Sequence, residues 1–471
     1  GAIPGLDATT GTALLIPLTY GVSATQALLF LSALYVGGVF GGSITAILFR
    51  IPGASEAVMT TLDGYPMAQK GEAGKALGTA IMSSSIGGTF ATIVAVIMTA
   101  QLTKVALSFG PAEYAALALL GLSCITSLGG TSQLKGIVSA CVGLLAATIG
   151  ADAIAGVPRF AFGSEVLYNG IPFVPAVIGL FAASEVFSNL SKSQELKAEQ
   201  TTDTKKFKTE LMTIKDFLRM KWIILRGSII GTWIGILPGV GATTAAIIGY
   251  STEVRLSKHP EKFGTGIQEG IAAPESANNS AAVGAMIPLL SLGIPGSATT
   301  AVLIGAFLIH GLKVGPLLMI NNSELVYTIF GGMFFSNFLI ILGGALAVKF
   351  FVKLIRIPYT VMSTSIISFC IVGALSLGDY NGVIVMFIFA VIGYFLNKYG
   401  YPSAPVVLGL VLGPILEDSM RRALMISNNN IGVIIRPITA TILIMAAFSL
   451  LTPYFGNIKS FFNRNTKDAT S

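Results

Sequence analysis

The sequence predicts an all-α integral membrane protein made of two repeated halves, with helices interrupted by Pro and Gly. Three observations predict it. Only 11% of the 471 residues are charged and 53% are hydrophobic, whereas about a quarter of an average soluble protein is charged. The apolar residues form continuous runs rather than alternating ones, which argues against a membrane β-barrel. Three landmarks recur in the same order on either side of a polar stretch near the middle. With a mean hydropathy of +0.78, the composition also excludes a disordered chain, a coiled coil and a disulfide scaffold.

A membrane-spanning helix needs about 20 apolar residues. Clear candidates lie near 79–107, 114–128 with 132–150, 172–190, 222–237, 325–348, 360–376, 383–396 and 434–454. Three further runs, 8–50, 264–312 and 402–416, are broken by Pro or Gly. Together they predict about 10 to 12 membrane elements, some re-entrant or discontinuous. The largest polar interruption, Ser188 to Lys221, carries eight Lys/Arg and five acids. Its positive excess places it in the cytoplasm, and Lys208–Lys221 reads as a short amphipathic helix on the membrane surface. The tail, with Lys459, Arg464 and Lys467 against one acid, belongs on the same side. The net charge of +7 therefore reflects positive-inside anchoring, not nucleic-acid binding. Cys124, Cys141 and Cys370 lie in apolar runs and read as small buried hydrophobes. With only His259 and His310 present, no His-based metal site or triad is expected.

The internal repeat organises the chain. Residues 3–10 read IPGLDATT and residues 236–244 read ILPGVGATT, sharing P-G-x-x-A-T-T. Ile51-Pro52-Gly53-Ala54 pairs with Ile294-Pro295-Gly296-Ser297, and Pro175-Ala-Val-Ile-Gly179-Leu180 with Pro405-Val-Val-Leu-Gly409-Leu410. The predicted organisation is a first membrane repeat at 1–187, a cytoplasmic linker at 188–221, a second repeat at 222–457 and a cytoplasmic tail at 458–471. Inverted topology is expected for the two halves. Half two has an apolar helix, Trp222 to Leu237, directly before its P-G-x-x-A-T-T. Half one opens at Gly1 without a counterpart, which predicts a leading apolar helix of about 20 residues ahead of it.

Two repeats that each carry two broken apolar segments at matching places form the pattern of secondary transporters, whose sites lie at such breaks. A restarted half-helix offers free backbone N–H groups and a positive dipole end to an anion. Freed carbonyls offer oxygen to a cation. For a substrate anion the candidates are Ser43, Thr45, Pro52, Gly53, Asn278, Asn279, Pro295, Gly296, Ser297, Thr299 and Thr300. For a coupling cation they are Asp7, Thr9, Thr10, Gly239, Gly241, Thr243 and Thr244. Small-residue patches also serve close helix packing, but their repetition at both breaks favours a site. Pro274-Glu275-Ser276-Ala277-Asn278-Asn279-Ser280 reads equally as a ligand-binding run or as a turn with an N-cap at Asn279 or Ser280. Asp7 reads as a charge in the first break or as the N-cap of a helix starting at Ala8. Lys and Arg are nearly absent from the broken runs, with Arg50 the one basic residue beside a break. Arg159, Glu165, Glu185, Glu417, Asp418, Arg421 and Arg422 read as interfacial or loop residues.

No H-E-x-x-H, G-x-S-x-G or G-x-x-x-x-G-K-[ST] occurs, so no enzyme is predicted and transport would not be driven by ATP bound to this chain. Two alternatives share the architecture: an uncoupled channel or exchanger for small anions, and a scaffold that only binds partners. The paired breaks speak against a scaffold.

Several stretches carry a family resemblance. They are Ile3-Pro4-Gly5, Tyr35-Val-Gly-Gly-Val-Phe-Gly41-Gly42-Ser43-Ile44-Thr45-Ala46, Leu62-Asp63-Gly64-Tyr65-Pro66-Met67-Ala68, Gly156-Val157-Pro158-Arg159-Phe160, Ala273-Pro274-Glu275-Ser276-Ala277-Asn278-Asn279, and Leu292-Gly293-Ile294-Pro295-Gly296-Ser297-Ala298-Thr299-Thr300. In these the chain resembles the large membrane subunit of the tripartite tricarboxylate transporter family over nearly its whole length. It has Asp7 where the family pattern P-G-x-G has Gly. The resemblance implies a bacterial inner-membrane symporter for citrate or other carboxylates, driven by Na⁺ or H⁺ and needing no other cofactor. It also implies a small four-helix membrane subunit and a periplasmic solute-binding protein as partners, and an elevator-like motion.

Overall fold

The computed structural model describes residues 1–2, 6–123, 132–192, 209–354, 359–377 and 380–450. The Pro4-Gly5 break, linker residues 193–208, Cys124 and the tail 458–471 lie outside them. Among the described residues, four helices are long and apolar enough to cross a membrane: Ala24–Phe49, Ala73–Ala106, Ser323–Gly344 and Tyr380–Lys398. Shorter apolar helices include Ala8–Thr19, Gln133–Ala147, Phe173–Asn189, Ala298–Ile309 and Pro437–Leu450.

Helix breaks fall where the backbone chemistry demands them. The Ala24–Phe49 helix opens on a Ser23/Gln26 capping box and ends at Arg50, which is left-handed at φ 57°, ahead of Pro52. In the second half Met286–Leu292 ends at Gly293, φ 77°, and the chain restarts at Ala298–Ile309 from a Ser297/Thr300 capping box. A left-handed residue satisfies the last carbonyls of one helix, and proline biases the residue before it away from helix.

Four expectations change. The Pro274–Ser280 run is not a turn: it lies inside the Glu269–Gly284 helix, which accommodates Pro274. The 402–416 run is unbroken, because the Ala404–Ile426 helix continues through Pro414. The helix expected from Trp222 already opens at Ile214, where the Thr213 hydroxyl accepts the Asp216 N–H at 3.2 Å. Lys215–Lys221 therefore extends the apolar helix instead of forming a separate surface helix. Cys370 is buried, but Cys141 is exposed on its helix.

The chain divides into two compact units, one of Gly1–Leu107 with Ile171–Ser403, the other of Ser108–Gly170 with Ala404–Ser471. Each unit takes chain from both sides of the polar linker. At the heart of the first, the Glu269–Gly284 helix is buried from Gly270 to Gly284. Gly227, Gly231 and Gly235 of the Ile214–Ile236 helix, one per turn, lie directly against it. A Cβ at Gly231 would stand 2.1 Å from the Ala277 carbonyl oxygen, and one at Gly235 2.4 Å from that of Ala281. Backbones approach this closely only across small residues. On the outside of the unit, Phe334, Phe335, Phe338, Leu339 and Leu342 form an exposed apolar strip along the Ser323–Leu354 helix. Such a strip suits lipid rather than water.

In the second unit the Gln133–Ala147 and Ala404–Ile426 helices meet at Gly143, where a Cβ would lie 2.0 Å from the Val406 carbonyl oxygen. A hairpin pairs Gly150–Ala151 with Pro158–Arg159. Its Asp152 accepts the N–H groups of Ile154 at 2.9 Å and Ala155 at 2.7 Å, and pairs with Arg421. Those backbone donors and the guanidinium hold the Asp152 carboxyl well below the usual range. Arg159 pairs with Glu417 at 2.7 Å, and Glu417 with Arg421 at 3.2 Å, so three of the residues expected at the interface or in loops form one network with Asp152.

Candidate functional site

The first unit brings the breaks of both halves to one place. Asp7 Oδ1 accepts the Thr10 N–H at 2.7 Å, so Asp7 is the N-cap of the Ala8–Leu15 helix. That cap aims Thr9 at the other half, where its Oγ1 lies 2.8 Å from Thr299 Oγ1. Tyr35 OH lies 2.9 Å from Ser297 Oγ. In the reciprocal direction, Thr243 Oγ1 donates to Ser55 Oγ at 2.9 Å. The Gly239 N–H donates to the Gly296 carbonyl at 3.1 Å, joining the two breaks of half two. A threonine from each P-G-x-x-A-T-T thus reaches the segment just after the other half's second Pro-Gly. Buried Glu56, in the 3-10 turn Ser55–Ala57, lies within electrostatic reach of Asp7.

Beside this crossing, Glu275 is fully buried (0% exposed). Ser43 Oγ donates to its Oε1 at 2.6 Å, Thr60 Oγ1 donates to the same oxygen, and Ser84 Oγ donates to Oε2 at 2.8 Å. The three hydroxyls come from three helices, Ala24–Phe49, Thr60–Gln69 and Ala73–Ala106. Among the described residues no ion pair involves Glu275. Asn278 and Asn279 follow three and four residues on, so they share its helix face. Asn278 Nδ2 donates to the Glu56 carbonyl at 3.4 Å. Asn278 Oδ1 and both amide atoms of Asn279 are buried without a partner.

A second buried carboxylate fixes this helix in place. Asp63 accepts the Gly264 N–H at 3.0 Å, the Gly266 N–H at 2.9 Å, the Ile267 N–H at 3.1 Å and the Tyr250 hydroxyl at 2.9 Å. Gly264 and Gly266 have φ of 81° and 97°, a conformation glycine adopts freely. They wrap the loop around the carboxylate and lead into Glu269–Gly284.

Of the expected residues, Thr299 meets Thr9, Ser297 meets Tyr35, and Asn278 reaches the Glu56 carbonyl next to the Ser55 that Thr243 contacts; Asn279 follows Asn278 on its helix. Ser43 is committed to Glu275. Thr45 Oγ1 bonds its own helix at the Gly42 carbonyl, 3.2 Å away, and a Cβ on Gly53 would sit 2.7 Å from it. The Gly53 N–H donates to the Gly42 carbonyl at 3.3 Å, which folds the Pro52-Gly53 break back on the helix before it. Thr300 completes the cap on Ser297, Gly296 packs against Gly235, and Gly241 takes φ 73° at its helix start. Thr10 is buried under its cap and Thr244 is half-buried. Sequence reasoning missed Tyr35, Thr60, Ser84, Asp63 and the weight of Glu275. Glu275 did carry a signal, since it is the one acid between Gly270 and Leu312, and an intramembrane acid is by default a functional residue.

A helical chain with membrane-length apolar helices, a lipid-suited exterior and a buried polar centre is a multi-pass membrane protein. It belongs to the tripartite tricarboxylate transporter TctA family, which it matches over residues 1–408. It is accordingly a membrane component of a tripartite transporter, and this is a family of transporters rather than enzymes. The chain is similar to an uncharacterized 52.8 kDa protein in the TAR-I ttuC' 3' region of Agrobacterium vitis. The two are 38% identical over 462 residues, 98% of this chain and 91% of the relative. An uncharacterized protein in the TAR-II ttuC' 3' region of the same organism is 36% identical over 232 residues, 49% of this chain and 96% of that relative. No solved structure matches.

Proposed function

We propose that this chain is the permease subunit of a cation-coupled importer of organic carboxylates, of the tricarboxylate or dicarboxylate kind exemplified by citrate. It works in the inner membrane of a bacterium with a small four-helix membrane subunit, and it receives substrate from a periplasmic solute-binding protein. The observation that carries this reading is the crossing at which Thr9 meets Thr299 and Thr243 meets Ser55. Reciprocal contact between the breaks of two repeated halves suits a site that both halves share and that either can uncover. Hydroxyls, an Asn amide and the helix start at Ala298 stand there, while Arg50, the basic residue beside the Pro52 break, is exposed and lies over the Tyr65 ring. A carboxylate held this way relies on helix N-termini, neutral donors and a co-bound cation, so cation and anion each strengthen the other's binding. Na⁺ or H⁺ fits that role.

Uptake of labelled citrate and shorter dicarboxylates into proteoliposomes holding both membrane subunits, with the binding protein added outside, tests this. A Na⁺ or pH gradient is expected to drive accumulation above the outside concentration. Uptake that only equilibrates would favour the channel or exchanger. No gradient-driven uptake of any di- or tricarboxylate would overturn the proposal.

A further inference from the structure

Glu275 presents an imbalance of charge and of hydrogen bonding. Its carboxylate is fully buried and meets three hydroxyls, each of which can donate only one hydrogen, and the Asn278 amide, all of them neutral donors. Hydroxyl donors stabilise the ionised form but add no compensating positive charge. One helical turn further on, three polar atoms of Asn278 and Asn279 are buried with no partner. Buried polar groups left unpaired are rare and call for an explanation. The opposite face of the same helix, at Ala273, Ser276, Ala277 and Ala281, is filled by the glycine-lined Ile214–Ile236 helix. The polar face is therefore set apart from the packing face.

We infer that Glu275, the hydroxyl oxygens of Ser43, Thr60 and Ser84, and the side-chain oxygens of Asn278 and Asn279 form a binding site for one dehydrated Na⁺. Each hydroxyl that donates to Glu275 keeps lone pairs for a cation, so the existing bonds need not break. A proton on Glu275 would cancel the charge but leave Asn278 Oδ1 and Asn279 Oδ1 bare. A hard cation, which takes several oxygen ligands, answers both needs at once. The ligand set carries one formal negative charge, which suits a monovalent ion. Among the described residues no group of three His, Cys, Asp or Glu comes together to hold a divalent metal. Asn279 links this site to the substrate: its Oδ1 faces the cation while its Nδ2 remains to donate to a carboxylate. The inference rests on the symport reading for its purpose, and it moves the cation from the P-G-x-x-A-T-T segments to Glu275.

Na⁺ binding to the purified full-length chain, measured by isothermal titration in choline buffer without carboxylate, tests it apart from transport. Wild type is expected to bind one Na⁺ saturably. Glu275→Gln, which keeps the shape and loses the charge, is expected to lower affinity at least tenfold. Ser84→Ala, a smaller change, is expected to lower it several-fold, and Ser365→Ala, at an exposed hydroxyl that bonds only its own helix, to leave it unchanged. Variants eluting as wild type in size-exclusion chromatography count as folded. Absence of Na⁺ binding in wild type, or equal binding in folded Glu275→Gln and Ser84→Ala, overturns the inference. Na⁺ binding that depends on Glu275 in a protein that never couples Na⁺ to carboxylate uptake would retain this site and sink the symport reading instead. Gradient-driven uptake with Na⁺ binding indifferent to Glu275 would do the reverse.

Discussion

Asp63 and Glu275 are both fully buried carboxylates, yet their surroundings assign them different work. Asp63 receives three backbone N–H groups and a tyrosine hydroxyl, all from the connection between the Gly241–Leu256 and Glu269–Gly284 helices or from its flank. Fixed donors at a fixed loop describe a structural anchor. Glu275 receives only side-chain donors, three hydroxyls and the Asn278 amide, each of which can turn away. If Asp63 is an anchor, Tyr250→Phe should cost roughly 1.5–3 kcal/mol, the worth of one hydrogen bond to a charged group. Asp63→Ala should cost more, since it strands the loop's N–H groups as well. Thermal unfolding of the purified variants checks the order. Limited trypsin digestion gives a local readout: cleavage at exposed Lys258 and Lys262 should accelerate in Asp63→Ala and leave the opposite end of the unit intact. Equal cleavage rates would show that the loop is held by something else. Asp63 stood inside a motif quoted from the sequence, but nothing in its local pattern revealed the role, because its donors lie about 200 residues away. Glu275 was readable as an isolated acid in an apolar run. Its hydroxyl shell was not, because Ser43, Thr60 and Ser84 sit on three other helices.

Among the elements, composition revealed which stretches are apolar, and Pro and Gly marked most of the breaks. What it could not reveal was which prolines break a helix. Pro52 and Pro295 end helices, in company with Arg50 and Gly293 in left-handed conformations, whereas Pro274 and Pro414 lie within continuous ones. A left-handed residue just upstream distinguishes the two groups, and that is a property of the folded backbone. The same holds for glycine, which is frequent here for two different reasons. Gly231 is a contact surface: an added Cβ would fall 2.1 Å from the Ala277 carbonyl oxygen. Gly343 has nothing within 4 Å. Gly231→Ala should therefore destabilise the first unit by about 1–3 kcal/mol through forced separation of two backbones. Gly343→Ala should be neutral or stabilising by up to ~1 kcal/mol, from the lower entropy of alanine in a helix. Thermal unfolding in one detergent compares them directly. Similar losses for both would mean that helix approach is not limited by the methyl group.

At the scale of the whole first unit, the question is which way each half faces. One end of this unit gathers the Glu210 N–H on the Gly74 carbonyl, Lys70 on the Thr265 carbonyl and Arg219 on Gln268. Lys75, Lys215, Lys258 and Lys262 lie in the same connecting segments, and the positive-inside bias predicts the cytoplasmic side for such an end. Thr19 and His310 lie 3.5 Å apart, in segments without that basic excess. From the crossing at Thr9, half one runs through the helix ending at Thr19, returns along Ala24–Phe49 and leaves through Thr60–Gln69 to Lys70. From the crossing at Thr243, half two runs to Ser257 first, returns along Glu269–Leu292 and leaves through Ala298–Ile309 to His310. If the two halves are inverted repeats, these corresponding segments point to opposite ends. The prediction concerns the exposed turns that follow equivalent helices. In a cysteine-free background, Val22→Cys should react with a membrane-impermeant maleimide added outside right-side-out vesicles. Lys258→Cys should react only in inverted vesicles or after permeabilisation. Labelling of both from the same side would rule out inversion. It would leave the Thr9–Thr299 and Thr243–Ser55 contacts as packing between halves of like orientation, and would remove the ground for alternating access around them.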